Sequence, residues 1–153
     1  MLTQIATFFG VGRIPKAPGT WGTLFALPLV FALMKLGVLI YMVATLGITI
    51  LGIVAAEHYE QQSSKHDSKE IVIDEVIGIL VTMTLLPMTW QAFVAGFILF
   101  RFLDILKPFP INHFDRKVSG GFGVVVDDVV AGMIANMALH LLFNYNAAVL
   151  GGV

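Results

Sequence analysis

The stretch Ile71-Val72-Ile73-Asp74-Glu75-Val76-Ile77-Gly78, continuing apolar to Leu86, sets two adjacent carboxylates at the edge of a long hydrophobic run. A second phrase, Val125-Val126-Asp127-Asp128-Val129-Val130-Ala131-Gly132, repeats the arrangement. A carboxylate beside hydrocarbon is costly, and two neighbouring ones repel each other as well. Such pairs imply that something positive sits between them. A hard divalent cation is the leading candidate, and with it chemistry at a membrane surface.

The rest of the chain supplies the hydrocarbon. It has 153 residues, 58% of them hydrophobic and only 12% charged, with a mean hydropathy of +0.88. An ordinary soluble domain carries about 25% charge. Uncharged runs cover 17–34, 36–56, 76–100 and 129–153. The last three reach the roughly 18–20 residues needed to cross a bilayer. The expected fold is all-α: a small polytopic membrane bundle of about five helices, some short or interfacial, with 1–153 as a single integral membrane domain. A net charge of −1 and the lack of a basic stripe argue against nucleic acid. Without cysteine there is no disulfide and no thiolate chemistry. The N-terminus lacks the basic start of a signal peptide and reads as a short interfacial helix.

Hydropathy and punctuation place helix 1 at about 21–34, bent by Pro28, and helix 2 at about 38–57. A polar loop follows at 58–70. Helix 3 runs from about 71 to 86 and stops before Pro87. Helix 4 runs from about 91 to 106, ended by Pro108 and Pro110. A loop at 108–123 contains a Gly-rich turn, Gly120-Gly121-Phe122-Gly123, and helix 5 covers about 124–143. If all five cross, the positive-inside rule puts the N-terminus in the cytoplasm. Only Lys35 of the nine cations then lies outside. The same assignment gathers Asp74, Glu75, Asp104, Asp127 and Asp128 at one depth, the inner face.

Five carboxylates at an open, wet edge suit Mg²⁺, which prefers oxygen ligands. Zinc fits poorly, because there is no Cys and the four His lack paired helical spacing. The plain alternative, acids favouring helix N-termini, accounts for one acid of a pair better than for two pairs plus Asp104. Arg101, Asp104 and Lys107 share one helix face at i, i+3 and i+6. They read either as a self-compensating charge ladder or as Asp104 on the metal with Arg101 and Lys107 on phosphate oxygens. Thr20 and Thr23, after Ala17-Pro18-Gly19, are candidates for capping helix 1 or for receiving an anion there. Gly78 and Gly132, four residues after Asp74 and Asp128, would let helices approach closely. Glu57 and Glu60 read as an interfacial cap to helix 2. His66, Asp67, His113 and the pair Asp115–Arg116 read as loop surface, and His140 as packed or interfacial.

Together, Gly10-Val-Gly12, Ala17-Pro-Gly-Thr-Trp-Gly-Thr23, Ile71 to Gly78, Phe100-Arg-Phe-Leu-Asp-Ile-Leu-Lys-Pro-Phe-Pro-Ile111 and Gly120 to Gly132 resemble the bacterial phosphatidylglycerophosphatase A family, in order and across nearly the whole chain. The chain departs from that pattern in a short N-terminus, without the polar extension of some members. The resemblance implies a Mg²⁺-dependent lipid phosphatase of the inner membrane. Such an enzyme removes the terminal phosphate of phosphatidylglycerophosphate, in contact with membrane lipid. It also implies that Asp74, Glu75, Asp104, Asp127 and Asp128 are the acidic motif positions, and Lys107, beside Arg101, the basic one. Two nucleophiles remain open, an activated water with one acid as general base, or a carboxylate forming an acyl-phosphate. The absence of an aspartate-x-aspartate start favours water. A small cation transporter with an acidic ion site is the alternative function; it requires acids near the bilayer midplane.

Overall fold

The computed structural model describes residues 1–63, 68–109, 111 and 120–144, with helical backbone continuing to 150. Among the described residues there are six α-helices, one 3₁₀ turn and no strand. The helices are α1 (Leu2–Ala6), α2 (Pro18–Lys35), α3 (Val38–Ser63), α4 (Ile73–Thr82), α5 (Trp90–Leu106) and α6 (Gly120–Leu150); the 3₁₀ turn is Val11–Arg13. The all-α expectation holds, with the short N-terminal segment supplying the sixth helix.

Several boundaries differ from the sequence reading, each for a local reason. α2 starts three residues earlier than expected. Ala17 takes a left-handed conformation and Pro18 opens the helix, where its missing N–H costs nothing and its fixed φ is already helical. The helix then continues through Pro28 to Lys35. α3 runs six residues past the expected end, with Tyr59 buried in the added turns. The polar composition after residue 57 marks where apolar surroundings end, not where the helix ends. The Gly-rich phrase at 120–123 is the first turn of α6 rather than a loop.

The largest correction concerns α4. It has ten residues, about 15 Å of rise against roughly 30 Å of hydrocarbon, so it cannot cross a bilayer as the expected 71–86 helix would. A helix ending inside apolar surroundings must find partners for its last carbonyls. Side chains from other helices supply them. Tyr41 Oη donates to Leu80 O at 2.6 Å. Asn136 Nδ2 donates to Thr82 O and to Thr84 O, both at 2.8 Å. His140 Nε2 lies 3.2 Å from Thr84 O.

α4 is the centre of the bundle, in contact with α2, α3, α5 and α6. Seven of its ten residues are buried, including Val76, Ile77, Ile79 and Leu80. Gly78 and Gly132 perform the close approach expected of them. A Cβ on Gly132 would come within 2.6 Å of Gly78 O, and one on Gly78 would run into the Phe100 ring. Such backbone proximity is how helices associate where hydrophobic contrast is weak.

Two helices, Val38–Ser63 and Gly120–Asn144, are long and apolar enough to cross a membrane. Leu39, Val43, Leu46, Ile50 and Leu51 of α3 are all more than half exposed. A row of large apolar side chains facing outward fits hydrocarbon surroundings better than water.

Candidate active site

The five acidic residues assigned to a metal in the sequence, Asp74, Glu75, Asp104, Asp127 and Asp128, line one cavity of about 470 Å³. Asp74 and Glu75 enter it from the first turn of α4, Asp104 from the last turn of α5, and Asp127 and Asp128 from α6. Arg101, Lys107 and the opening residues of α2, Pro18 and Gly19, complete much of the wall. The C-terminal end of α5 and the starts of α2 and α4 therefore lie at one level, although their residues are scattered in sequence.

The five acids divide into two groups. Asp104 Oδ2 is ion-paired with Arg101 Nη1, whose guanidinium also lies 3.6 Å from Glu75 Oε1. Asp127 Oδ2 accepts from Lys107 Nζ at 2.6 Å. Lys107 reaches inward because it ends α5 in a left-handed conformation, with φ of 43°. The second group is Asp74, Glu75 and Asp128. One carboxylate oxygen from each lies within 4.8 Å of the others. Asp74 Oδ1, Glu75 Oε2 and Asp128 Oδ2 are buried without a hydrogen-bond partner among the described residues.

Buried polar atoms normally have partners, and an orphan calls for an explanation such as an ion. Three carboxylates, each with a buried oxygen lacking a partner and each bringing one oxygen within 4.8 Å of the others, form an all-oxygen donor set. That set fits a hard divalent cation such as Mg²⁺.

The family model for phosphatidylglycerophosphatase A matches residues 4–143. A Haemophilus influenzae protein named phosphatidylglycerophosphatase A is 43% identical over 133 residues, 86% of this chain and 82% of its own length. An Escherichia coli K12 protein of the same name is 41% identical over 140 residues, 90% of this chain and 81% of its own. The chain belongs to the phosphatidylglycerophosphatase A family. It is accordingly a phosphatase. A Bacteroides thetaiotaomicron protein named, provisionally, a phosphatidylinositol-3-phosphatase is 36% identical over 137 residues, 84% of this chain and 85% of its own length. No solved structure matches the chain.

The cavity of this family member departs from the sequence reading in three respects. Thr20 and Thr23 do not line it. Thr23 is fully buried and donates its hydroxyl back to Gly19 O at 2.9 Å, so it neither caps α2 nor faces the cavity. The backbone at Pro18–Gly19 takes that place in the wall. Glu57 does not cap its own helix. Its Oε2 accepts from Gly121 N at 2.6 Å and so caps the start of α6, which a contact across 64 positions hides from local sequence. Ser68 and Lys69 also line the cavity; sequence placed them in a polar loop, and only the positive charge of Lys69 hinted at more. His66, Asp67, His113, Asp115 and Arg116 lie outside the described residues.

Proposed function

We propose that this phosphatase hydrolyses the terminal phosphomonoester of phosphatidylglycerophosphate, releasing phosphatidylglycerol and inorganic phosphate, with Mg²⁺ as cofactor. One observation carries the reading: three carboxylates, each with an unpartnered buried oxygen, gather in a cavity that also presents cations. The names of the relatives supply the substrate. Asp74, Glu75 and Asp128 would hold the metal. When bound, it supplies Lewis acidity toward a phosphoryl oxygen.

The remaining chemistry belongs to the chain. Arg101 and Lys107 are each tied to a carboxylate, so their charge is held in place rather than free to wander. They stand ready to hydrogen-bond phosphoryl oxygens, where negative charge is redistributed during transfer. The amides of the first turn of α2 have no intrahelical acceptors and offer further donors at Gly19. Water attacks phosphorus and its proton passes to one of the cavity carboxylates. The P–O bond to glycerol breaks, and the departing oxygen takes that proton from the carboxylate, which is thereby restored. Asp127, held by Lys107 beside the trio, is our choice of general base.

The lipid tails remain outside the cavity, against the exposed apolar residues around the bundle. Ile105, 66% exposed, stands at the cavity wall itself. We place the cavity at the cytoplasmic face of the inner membrane. The cation bias of the loops supports this, with Lys35 at the opposite end of α2 packed over the Phe31 ring at 4.9 Å. The transporter alternative gains no support. Beyond the acids, the polar groups of Tyr41, Asn136 and His140 bond to backbone carbonyls, and the Gly78–Gly132 contact leaves no room for a path between α4 and α6.

The test is phosphate release from purified protein in detergent, comparing phosphatidylglycerophosphate, phosphatidate and phosphatidylinositol-3-phosphate, with and without EDTA. The expected result is fastest release from phosphatidylglycerophosphate, abolished by EDTA and restored by Mg²⁺. Faster release from either other lipid would overturn the substrate assignment. Full activity in EDTA would overturn the metal.

A further inference from the structure

α4 and α6 meet along two stripes of matched spacing. On α4 the stripe is Asp74, Gly78 and Thr82; on α6 it is Asp128, Gly132 and Asn136, with His140 one turn further. The pairs are in contact at every level. Asp74 and Asp128 share the acidic trio, Gly132 abuts Gly78 O, and Asn136 bonds Thr82 O across 54 positions. The same offset of 54 holds at all three levels, so the helices run parallel in a single register.

The middle of this interface does little to fix that register. Two glycines bring backbone against backbone, with Val81 the α4 side chain seated against Gly132, so this level offers a shallow ridge and no directional bond to resist sliding. The near end resists it even less, because Asp74 and Asp128 repel when no cation lies between them. Among the described residues, side-chain hydrogen bonds between α6 and the α4 segment stand at the far end. Asn136 Nδ2 spans Thr82 O and Thr84 O, each at 2.8 Å, and His140 adds a contact to Thr84 O. Such bonds leave little freedom along the axis, since a shift of one turn moves α4 by about 5.4 Å. That exceeds the 4.8 Å within which the ligand oxygens gather.

We propose that Asn136, supported by His140, is a positioning residue: from about 12 Å along α6 it sets the axial register of α4 and so holds Asp74 opposite Asp128. The inference rests on the reading that this trio binds a divalent cation, but the register itself can be measured without metal.

The chain has no cysteine, so D74C/D128C gives a clean thiol pair for a short bifunctional cross-linker. Adding N136L should slow cross-linking about tenfold, and N136Q, which keeps the amide, should restore most of the rate. In the otherwise native protein, N136L should weaken Mg²⁺ binding by about 10-fold or more in calorimetry, the scale seen when groups orienting a ligand are lost. A lowered Tm with unchanged cross-linking and unchanged Mg²⁺ affinity would show Asn136 to be merely structural and overturn the proposal. If N136L does not fold, H140L is read in the same assays. It should give a smaller loss of about two- to threefold in both, and no loss would count against the idea. If D74C/D128C cross-links as expected while the protein with its native acids binds no Mg²⁺, the metal reading falls and the register stands.

Discussion

Replacing Asp74 with Asn removes one charge from the acidic trio at almost constant volume. The ligand oxygens of Asp74, Glu75 and Asp128 lie within 4.8 Å of one another. At that distance two ionised carboxylates repel by about 3.5 kcal/mol at an effective dielectric constant of ~20. Asp74 has two such neighbours. Arg101, 3.6 Å from Glu75, offsets part of the total. Asp74 also sits in the first turn of α4, where losing its charge forfeits about 0.3–1 kcal/mol of favourable interaction with the helix dipole. Repulsion is the larger effect, so Asp74→Asn should raise metal-free stability by about 1–2 kcal/mol. For a chain of this length that is roughly 2–8 °C in Tm. The same change removes a ligand, so phosphate release should fall by on the order of 10³-fold, and Mg²⁺ should lose its power to raise Tm. Thermal unfolding in detergent, with EDTA and then with Mg²⁺, reads both effects. A metal-free Tm that falls, together with an undiminished Mg²⁺-induced rise, would refute the claim that these acids crowd around a cation site.

Two further substitutions probe the walls of the cavity, and a third probes the helix contact behind it. Gly19→Ala places a methyl where Glu75 Oε1 now lies and close to Arg101 Nη1; phosphate release should drop about 10- to 100-fold with Tm little changed, checked by parallel activity and unfolding assays. Lys69→Gln should raise KM for phosphatidylglycerophosphate about fivefold while largely sparing kcat, as expected for a cation that contacts substrate without meeting the reacting phosphorus; steady-state kinetics decide it. Gly132→Val drives a side chain into Gly78 O, and should cost about 1–3 kcal/mol, visible in thermal unfolding, together with loss of activity as α4 is pushed from α6.

The acids were legible in sequence because charge inside apolar sequence has few explanations. Asp74, Glu75, Asp104, Asp127 and Asp128 all reach the cavity. Gly78 and Gly132 were legible too, since their spacing from the acids put them on the same helix faces. The extent of α4 was not. Hydropathy stays high from Ile71 to Leu86, so composition gives no reason to stop at Thr82. The stop depends on Tyr41 and Asn136, 39 and 54 positions from the carbonyls they satisfy. Likewise Glu57 looked local, and Thr23 looked like a cap until the helix began at Pro18 and enclosed it. Local pattern identifies groups that are expensive to bury; it does not say which distant group makes the burial tolerable.

The shortness of α4 also accounts for the cavity. Asp74 is the second residue of α4, whereas its neighbour Asp128 is the ninth of α6. The N-terminus of α4 is therefore recessed by about 10 Å relative to that of α6. A full crossing helix in this position would fill the space that Gly123 and Val124 of α6 now border. The recessed end forms the floor of a well, with its positive dipole end beneath the acids. α2, α5 and α6 provide the walls. A phosphomonoester on a short glycerol arm can descend into such a well while acyl chains stay against the apolar exterior. On the proposed function, the reach of the head group, rather than the chemistry of the tails, would then determine which lipids are hydrolysed.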